Sequence, residues 1–376
     1  MTDYSYHYIF LAVISISLTA TPRSIHHRSS HNIPCIITEW DDADVSHNQS
    51  SPKQFRLYHN NLEIGPIFHQ YDRAYFLQHL LPQGIIPPRK SILPQPYTTT
   101  EEAALPSKNQ EITGKELSDL LESLIREIYS INYRRSEYKD FIVIKQRDFN
   151  PKTHAGLIIL KFKNYPFVVK LFMETPATFV SPFSKGFEPM AFFIMGSGIN
   201  RYLSGFSRVR NAEAIRANIC QSATWNDRVA LPRKWFWEPI NQKWFTVTSE
   251  RLGTYGHSVR LPSMYAIICD AIDIETPLQI LNPEHRKIGM ELSRFLGARV
   301  DPHIDNFVIE KETGLIIIVD TECFSIMVGL REPLACSNYV NWYYGLCSKC
   351  WKDGFCRSKK ERHTFQQQNC TTIICC

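Results

Sequence analysis

The spacing of apolar residues changes along the chain and predicts its elements. Between Thr113 and Arg135, Leu117, Leu120, Leu121, Leu124, Ile125 and Ile128 recur at three- and four-residue steps, which puts them on one face of an α-helix. Thr113 with Glu116 forms a capping-box pattern at its start. Three short β-branched and aromatic runs follow, Phe141–Lys145, Gly156–Phe162 and Tyr165–Phe172, the last two joined by the turn-like pair Lys163-Asn164. They predict an antiparallel meander. Helical spacing returns at Asn211–Ser222, strands fit Arg233–Trp237 and Lys243–Thr248, and Gly253 and Gly256 mark a connection. Beyond it the pattern is mainly helical, with runs at Ser263–Asp273, Pro283–Leu296 and Asn338–Lys352. A strand-rich half thus precedes a helix-rich half, which is an α+β arrangement.

The same patterning suggests boundaries. Residues 1–20 contain an apolar run from Tyr8 to Ala20, too short for a comfortable membrane span. It suits a signal-peptide core, although Asp3 and the lack of Lys or Arg before it do not, so export and a cytoplasmic location both stay open. A buried N-terminal strand or helix is the plainer alternative. Residues 21–112 are polar and irregular, and the Pro-rich stretch Pro82–Pro106 reads as a linker or wrapping arm. The first half of the domain spans 113–250, the helical half 251–360, and a cysteine-containing tail 361–376. The stretch Glu174–Arg208, with Gly186, Gly196, Gly198 and Gly205, has no assignable period.

Composition narrows the function only slightly. A net charge of +5 is spread over 42 basic and 37 acidic side chains, so nucleic-acid binding is not expected. No later stretch is long and apolar enough to span a membrane. Eleven cysteines cannot all pair within one chain. Cys347, Cys350, Cys356 and Cys370, with His363, offer one Cys-x-x-Cys pair but no second, so zinc is not expected.

Chemistry concentrates at Arg299–Phe324. There Asp301-Pro-His-Ile-Asp305-Asn306 leads into two apolar runs, Phe307–Ile309 and Leu315–Val319, around a turn with Gly314, and the second run ends at Asp320. Antiparallel pairing around that turn brings Asn306 roughly opposite Asp320, with Asp301 and Asp305 in the loop feeding the same end. Carboxylates gathered so closely repel unless a cation lies among them, and hard oxygen ligands suit magnesium. The plainer alternative is a solvated acidic loop beside a surface hairpin. Lys170 adds separate weight, because it interrupts Phe167–Phe172, a run apolar on both faces. A buried ammonium needs an anion, either a carboxylate or a ligand phosphate. An edge-strand lysine reaching water is the alternative.

In order and spacing these residues resemble the protein-kinase-like superfamily, in which a strand lysine, a helix glutamate, a catalytic Asp with Asn five residues on, and a strand-terminal metal Asp follow one another. The resemblance covers about residues 140–350. It implies a bilobal fold, with an antiparallel-sheet N-lobe and a mainly helical C-lobe, that uses ATP and magnesium on a small-molecule or protein hydroxyl. It further implies that Lys170 holds the α- and β-phosphates and Asp301 acts on the acceptor. Asn306, Asp320 and Glu322 would ligate magnesium, and Trp244–Glu250 would form the adenine hinge. Glu213 is the preferred helical partner of Lys170, with Glu188 the alternative. The chain departs from the pattern at Arg299-Val300 before Asp301, at Thr321-Glu322 after Asp320, and in a first turn, Asp148–Gly156, with one glycine. An acidic residue at 322 is nearer the small-molecule and lipopolysaccharide kinase branches. A pseudokinase that binds nucleotide or a partner is the rival reading. No Gly-x-Ser-x-Gly, His-Glu-x-x-His or Gly-x-x-x-x-Gly-Lys occurs, which disfavours serine hydrolases, zinc proteases and P-loop enzymes.

Overall fold

The computed structural model describes residues 33–41, 54–59, 73–87, 89, 112–176, 178–179, 202, 205–249, 258–297, 300–322, 340–341 and 343–345. The apolar segment at 1–20, Glu188, Glu250, Gly253, Gly256, the tail cysteines and most of 174–208 lie outside them. The described elements are β1 (Ile33–Asp41), β2 (Gln54–His59), α1 (Arg73–Gln78), α2 (Gly114–Tyr129), β3 (Phe141–Lys145), β4 (Phe149–Asn150), β5 (Ala155–Phe162) and β6 (Phe167–Met173). They continue with α3 (Ser207–Cys220), β7 (Val229–Ala230), β8 (Lys234–Trp237), β9 (Lys243–Ser249), β10 (Ser258–Pro262), β11 (Met264–Asp270), β12 (Ile274–Pro277), α4 (Pro283–Leu296), β13 (Phe307–Glu310) and β14 (Ile316–Ile318). The class is mixed α and β with mainly antiparallel sheets, as the patterning implies.

The central sheet runs β3-β5-β6-β11-β8, with β4 paired to β5. Its middle strands are apolar on both faces because both faces are covered. Val169, Leu171 and Met173 of β6 point one way, into a core that includes Leu117, Leu121, Leu124 and Ile128 of α2. Val168 and Phe172 point the other way, against Phe206 and Val209 near the start of α3 and Val308, Ile317 and Val319 of the β13–β14 hairpin. Side chains alternate along a strand, so Lys170 shares the face of Val168 and Phe172. On β8, Lys234 by the same alternation shares the face of Phe236, which belongs to that same core.

α2 forms where the apolar spacing predicts it. Thr113 Oγ1 accepts the Glu116 N–H at 3.2 Å, and the helix stops at Tyr129 as the Ser130 N–H turns back to the Arg126 and Glu127 carbonyls. Its start is wedged against the preceding segment: a Cβ on Gly114 would lie 1.6 Å from the Pro82 carbonyl oxygen. The run Ser263–Asp273, read as helical, is instead strand β11, inserted between β6 and β8 with every residue buried. An apolar run covered on both faces has no polar stripe to reveal its period, so the step from Met264 to Ile267 and Ile268 imitates a helix. The strand-rich part therefore extends past 250. β9 belongs to a different sheet, β10-β9-β1-β2, so the predicted hinge at Trp244–Glu250 does not leave the sheet that carries Lys170. The chain leaves that sheet at Ala271–Asp273, directly after β11. Among the described residues no helix is long and apolar enough to cross a membrane. Cys220 is half-buried and Cys269 is buried.

Just beyond β6, Glu174 is buried, accepts hydrogen bonds from the Thr178 hydroxyl and, at 3.4 Å, the Thr175 N–H, and is pushed by burial from 4.5 to about 7. Below its unfolded value both states hold the proton; between the two values only the folded state does, so stability falls as pH rises from 4.5 to about 7. A shift of this size corresponds to about 3 kcal/mol. Glu174→Gln should therefore raise the denaturation midpoint at about pH 8 and leave it nearly unchanged near about pH 4, as chemical denaturation at the two pH values can measure.

Candidate functional site

The site lies where β6, α3 and the β13–β14 hairpin meet. Each contributes a charge that its own local structure forces inward. Lys170 sits in the middle of a strand whose seven residues are all buried, and its side chain is 2% exposed. Its ammonium donates to Asp320 Oδ2 at 2.9 Å. Asp320 stands just past β14, and the hairpin register that puts it there pairs Phe307 with Ile318. The Val319 N–H donates to the Asn306 carbonyl at 3.0 Å, so Asn306 lies opposite Val319, one residue short of the expected match with Asp320.

Arg208, in the first turn of α3, is the residue that sequence reasoning missed. It is 1% exposed, and its Nε donates to Asp320 Oδ1 at 3.0 Å while its Nη2 reaches both Asp320 Oδ2, at 3.5 Å, and Glu322 Oε2. The same helix grips the backbone of this segment. Thr321 Oγ1 donates to the Arg208 carbonyl at 2.7 Å, and Asn211 Nδ2 donates to the Thr321 carbonyl at 2.9 Å. Lys234 supplies a third cation: it is buried and donates to the Val319 carbonyl at 3.3 Å. Burial alone would raise the Asp320 carboxyl, but the charges of Arg208, Lys170 and Lys234 outweigh it and hold Asp320 well below the usual carboxylate range. Arg208 is in turn held more firmly protonated by Asp320 and Glu322.

Asp301 and Asn306 are brought to this end of the hairpin. Asn306 Nδ2 donates to the Asp301 carbonyl at 3.1 Å, and Asp301 Oδ1 accepts the His303 N–H at 3.1 Å. Burial pushes the Asp301 carboxyl up to about 6; the His303 charge and its N–H lower it, and the negative charges of Glu322 and Asp320 raise it. Asp305 turns outward and lies 3.5 Å from His303 Nδ1, with both side chains at least half exposed. Lys170, Asp320 and Glu322 thus share one ionic cluster through Arg208, with Asp301 and Asn306 at the same end of the hairpin.

Glu213 does not join them. It accepts from the Tyr75 hydroxyl at 2.5 Å and lies 2.6 Å from His79 Nε2, tying α3 to the α1 segment. Its position is 50% exposed, whereas the face of α3 turned to the core carries Arg208 and Asn211. The helix therefore offers Lys170 no partner at Glu213; through Arg208 it offers a cation to the carboxylate that Lys170 binds. One signal pointed to Lys234, a second lysine at the head of an aromatic strand, whereas Arg208 ends a stretch with no readable period and carries none.

Comparisons with protein-family models, curated proteins and solved structures give no match to this chain.

The two carboxylates should respond differently to removal. Asp320→Ala removes the carboxylate that Lys170 and Arg208 both engage while they stay buried, and should lower stability by about 3–5 kcal/mol. Glu213→Gln alters a half-exposed contact and should change stability by less than about 1 kcal/mol. Urea unfolding of both variants measures the contrast.

Proposed function

We propose that the chain is a kinase-like phosphotransferase, binding ATP beside the junction of β6, α3 and the end of the β13–β14 hairpin and passing its γ-phosphoryl group to a hydroxyl acceptor. The observation that carries this reading is the meeting of Lys170 with Asp320 at the same end of the hairpin as Asp301 and Asn306. In support, Lys170 lies on the third long strand of an antiparallel sheet, α3 follows it in sequence, and the hairpin brings the later residues back to it. A bilobal kinase-like arrangement is part of the same proposal. The single glycine of the first turn, Gly156, has φ of +109°, and a Cβ there would lie 2.0 Å from the Asp148 carbonyl oxygen, so that turn needs glycine although no glycine-rich loop is present.

In this reading Lys170 faces the phosphates as a fixed positive charge. Asp301 lies in the loop entering the hairpin and accepts the proton as the acceptor oxygen bonds to the γ-phosphorus. The bond from that phosphorus to the β–γ bridging oxygen breaks and ADP leaves. Magnesium, when bound to such sites, neutralises phosphate charge. Its implied ligands do not fit that task as arranged: Asp320 accepts from Lys170 and Arg208, Glu322 accepts from Arg208, and the Asn306 amide donates to Asp301. No step is routed through the metal.

A second reading, nucleotide binding without turnover, is favoured by the same engagement of Asp320 and Glu322 by Arg208. Turnover separates the two. If Asp301 accepts the proton, Asp301→Asn should leave ATP affinity within about twofold and lower phosphate release by at least about 100-fold. Asp305→Asn, on the outward-turned neighbour, should change neither by more than about twofold. ATP that raises the melting temperature without any phosphate release or autophosphorylation supports the second reading. A melting temperature unmoved by saturating ATP contradicts both.

A further inference from the structure

We propose that this junction binds the phosphates of a nucleotide without a divalent cation, because Arg208 delivers from α3 the positive charge that a metal would bring. The inference rests on reading the junction as a nucleotide site and adds to it the chemical form of the ligand, the metal-free nucleotide polyanion.

The charges at this junction argue for it. Arg208 and Lys170 donate to Asp320, and Lys234 is buried on the neighbouring Val319 carbonyl. Against them stand Asp320, Glu322 and, at the same end of the hairpin, Asp301. Among these described residues three cations match three carboxylates before any ligand arrives. A site arranged to capture a divalent ion presents the reverse, an excess of carboxylates whose repulsion the ion relieves.

Arg208 is also suited to the task. Arginine stays charged in any environment reached here, and its planar fork of donors matches phosphate oxygens. Nε and Nη2 are taken up by Asp320 and Glu322, which fixes the plane of the guanidinium. Nη1 is buried and has no hydrogen-bond partner. A buried guanidinium N–H without an acceptor is costly, so it is a donor awaiting one. The Phe172 ring, 5.4 Å from the guanidinium carbon, supports the group from one side, and the contacts of Thr321 and Asn211 keep α3 from carrying it away. The positive charge is therefore built into the fold and does not depend on ion supply.

The test is calorimetric titration of the full chain with ATP, once with excess chelator and once with magnesium. The proposal expects the two dissociation constants to agree within about threefold. Arg208→Gln should weaken binding in chelator by more than about tenfold and make it recover with magnesium, since Asp320 and Glu322 then face the phosphates with one cation fewer. Arg208→Lys keeps the charge and should retain most of the metal-free affinity. If Arg208→Gln does not fold, the wild-type titrations and Arg208→Lys still decide. Wild-type binding seen only with magnesium overturns this inference and leaves the nucleotide reading standing. Wild-type protein that binds ATP under neither condition overturns both.

Discussion

A carboxylate held between two buried cations organises this molecule. Asp320 receives Lys170 from the central sheet and Arg208 from α3, and neither cation has more than a few per cent of its side chain in water. Each of the three groups would be strongly unfavourable alone in such surroundings. Together they require the sheet, the helix and the hairpin to meet at one point, and the apolar face of the sheet closes around that point with Val168, Phe172, Val308 and Val319. The non-directional burial of those side chains brings the elements together; the ionic junction selects how they are aligned.

That alignment is reinforced from the outside. α3 is tied to the hairpin side by its contacts with Thr321, and to the N-terminal segment by Tyr75 and His79 on Glu213. The same segment crosses the sheet edge. The Leu81 N–H donates to the Phe236 carbonyl, Arg233 Nη1 donates to the Pro87 carbonyl, and Arg89 reaches both the Ala271 carbonyl and Glu310. Arg233 is itself fixed by Asp270 at the end of β11. A helix held on two sides has few ways to swing, so the charged junction is prearranged. Prearranged charge is the condition under which electrostatic groups act most strongly on a charged partner.

The parts of this arrangement that were legible in the sequence share a property: their local pattern and their final environment agree. Lys170 stands out because one lysine interrupts an apolar strand, and Asp320 because it closes an apolar run that pairs in a hairpin. β11 was misread because burial on both faces erases the alternation that distinguishes a strand from a helix. Arg208 was invisible for another reason. α3 mixes buried polar residues, Ser207, Arg208 and Asn211, with apolar ones, so its inward face carries charge where amphipathic patterning predicts none. Glu213 is the helical carboxylate ahead of the next strand, but the helix turns it toward Tyr75 and His79. Which face a helix buries is a tertiary fact that spacing alone does not supply when the buried face is polar.

Coupling of Arg208 to Asp320 across the joint between α3 and the hairpin can be measured by a double-mutant cycle of Arg208→Met and Asp320→Asn in urea unfolding. The double variant should be more stable than the sum of the single losses implies, with a coupling energy of at least about 1.5 kcal/mol. A coupling within about 0.3 kcal/mol of zero would contradict it, because independent sites add.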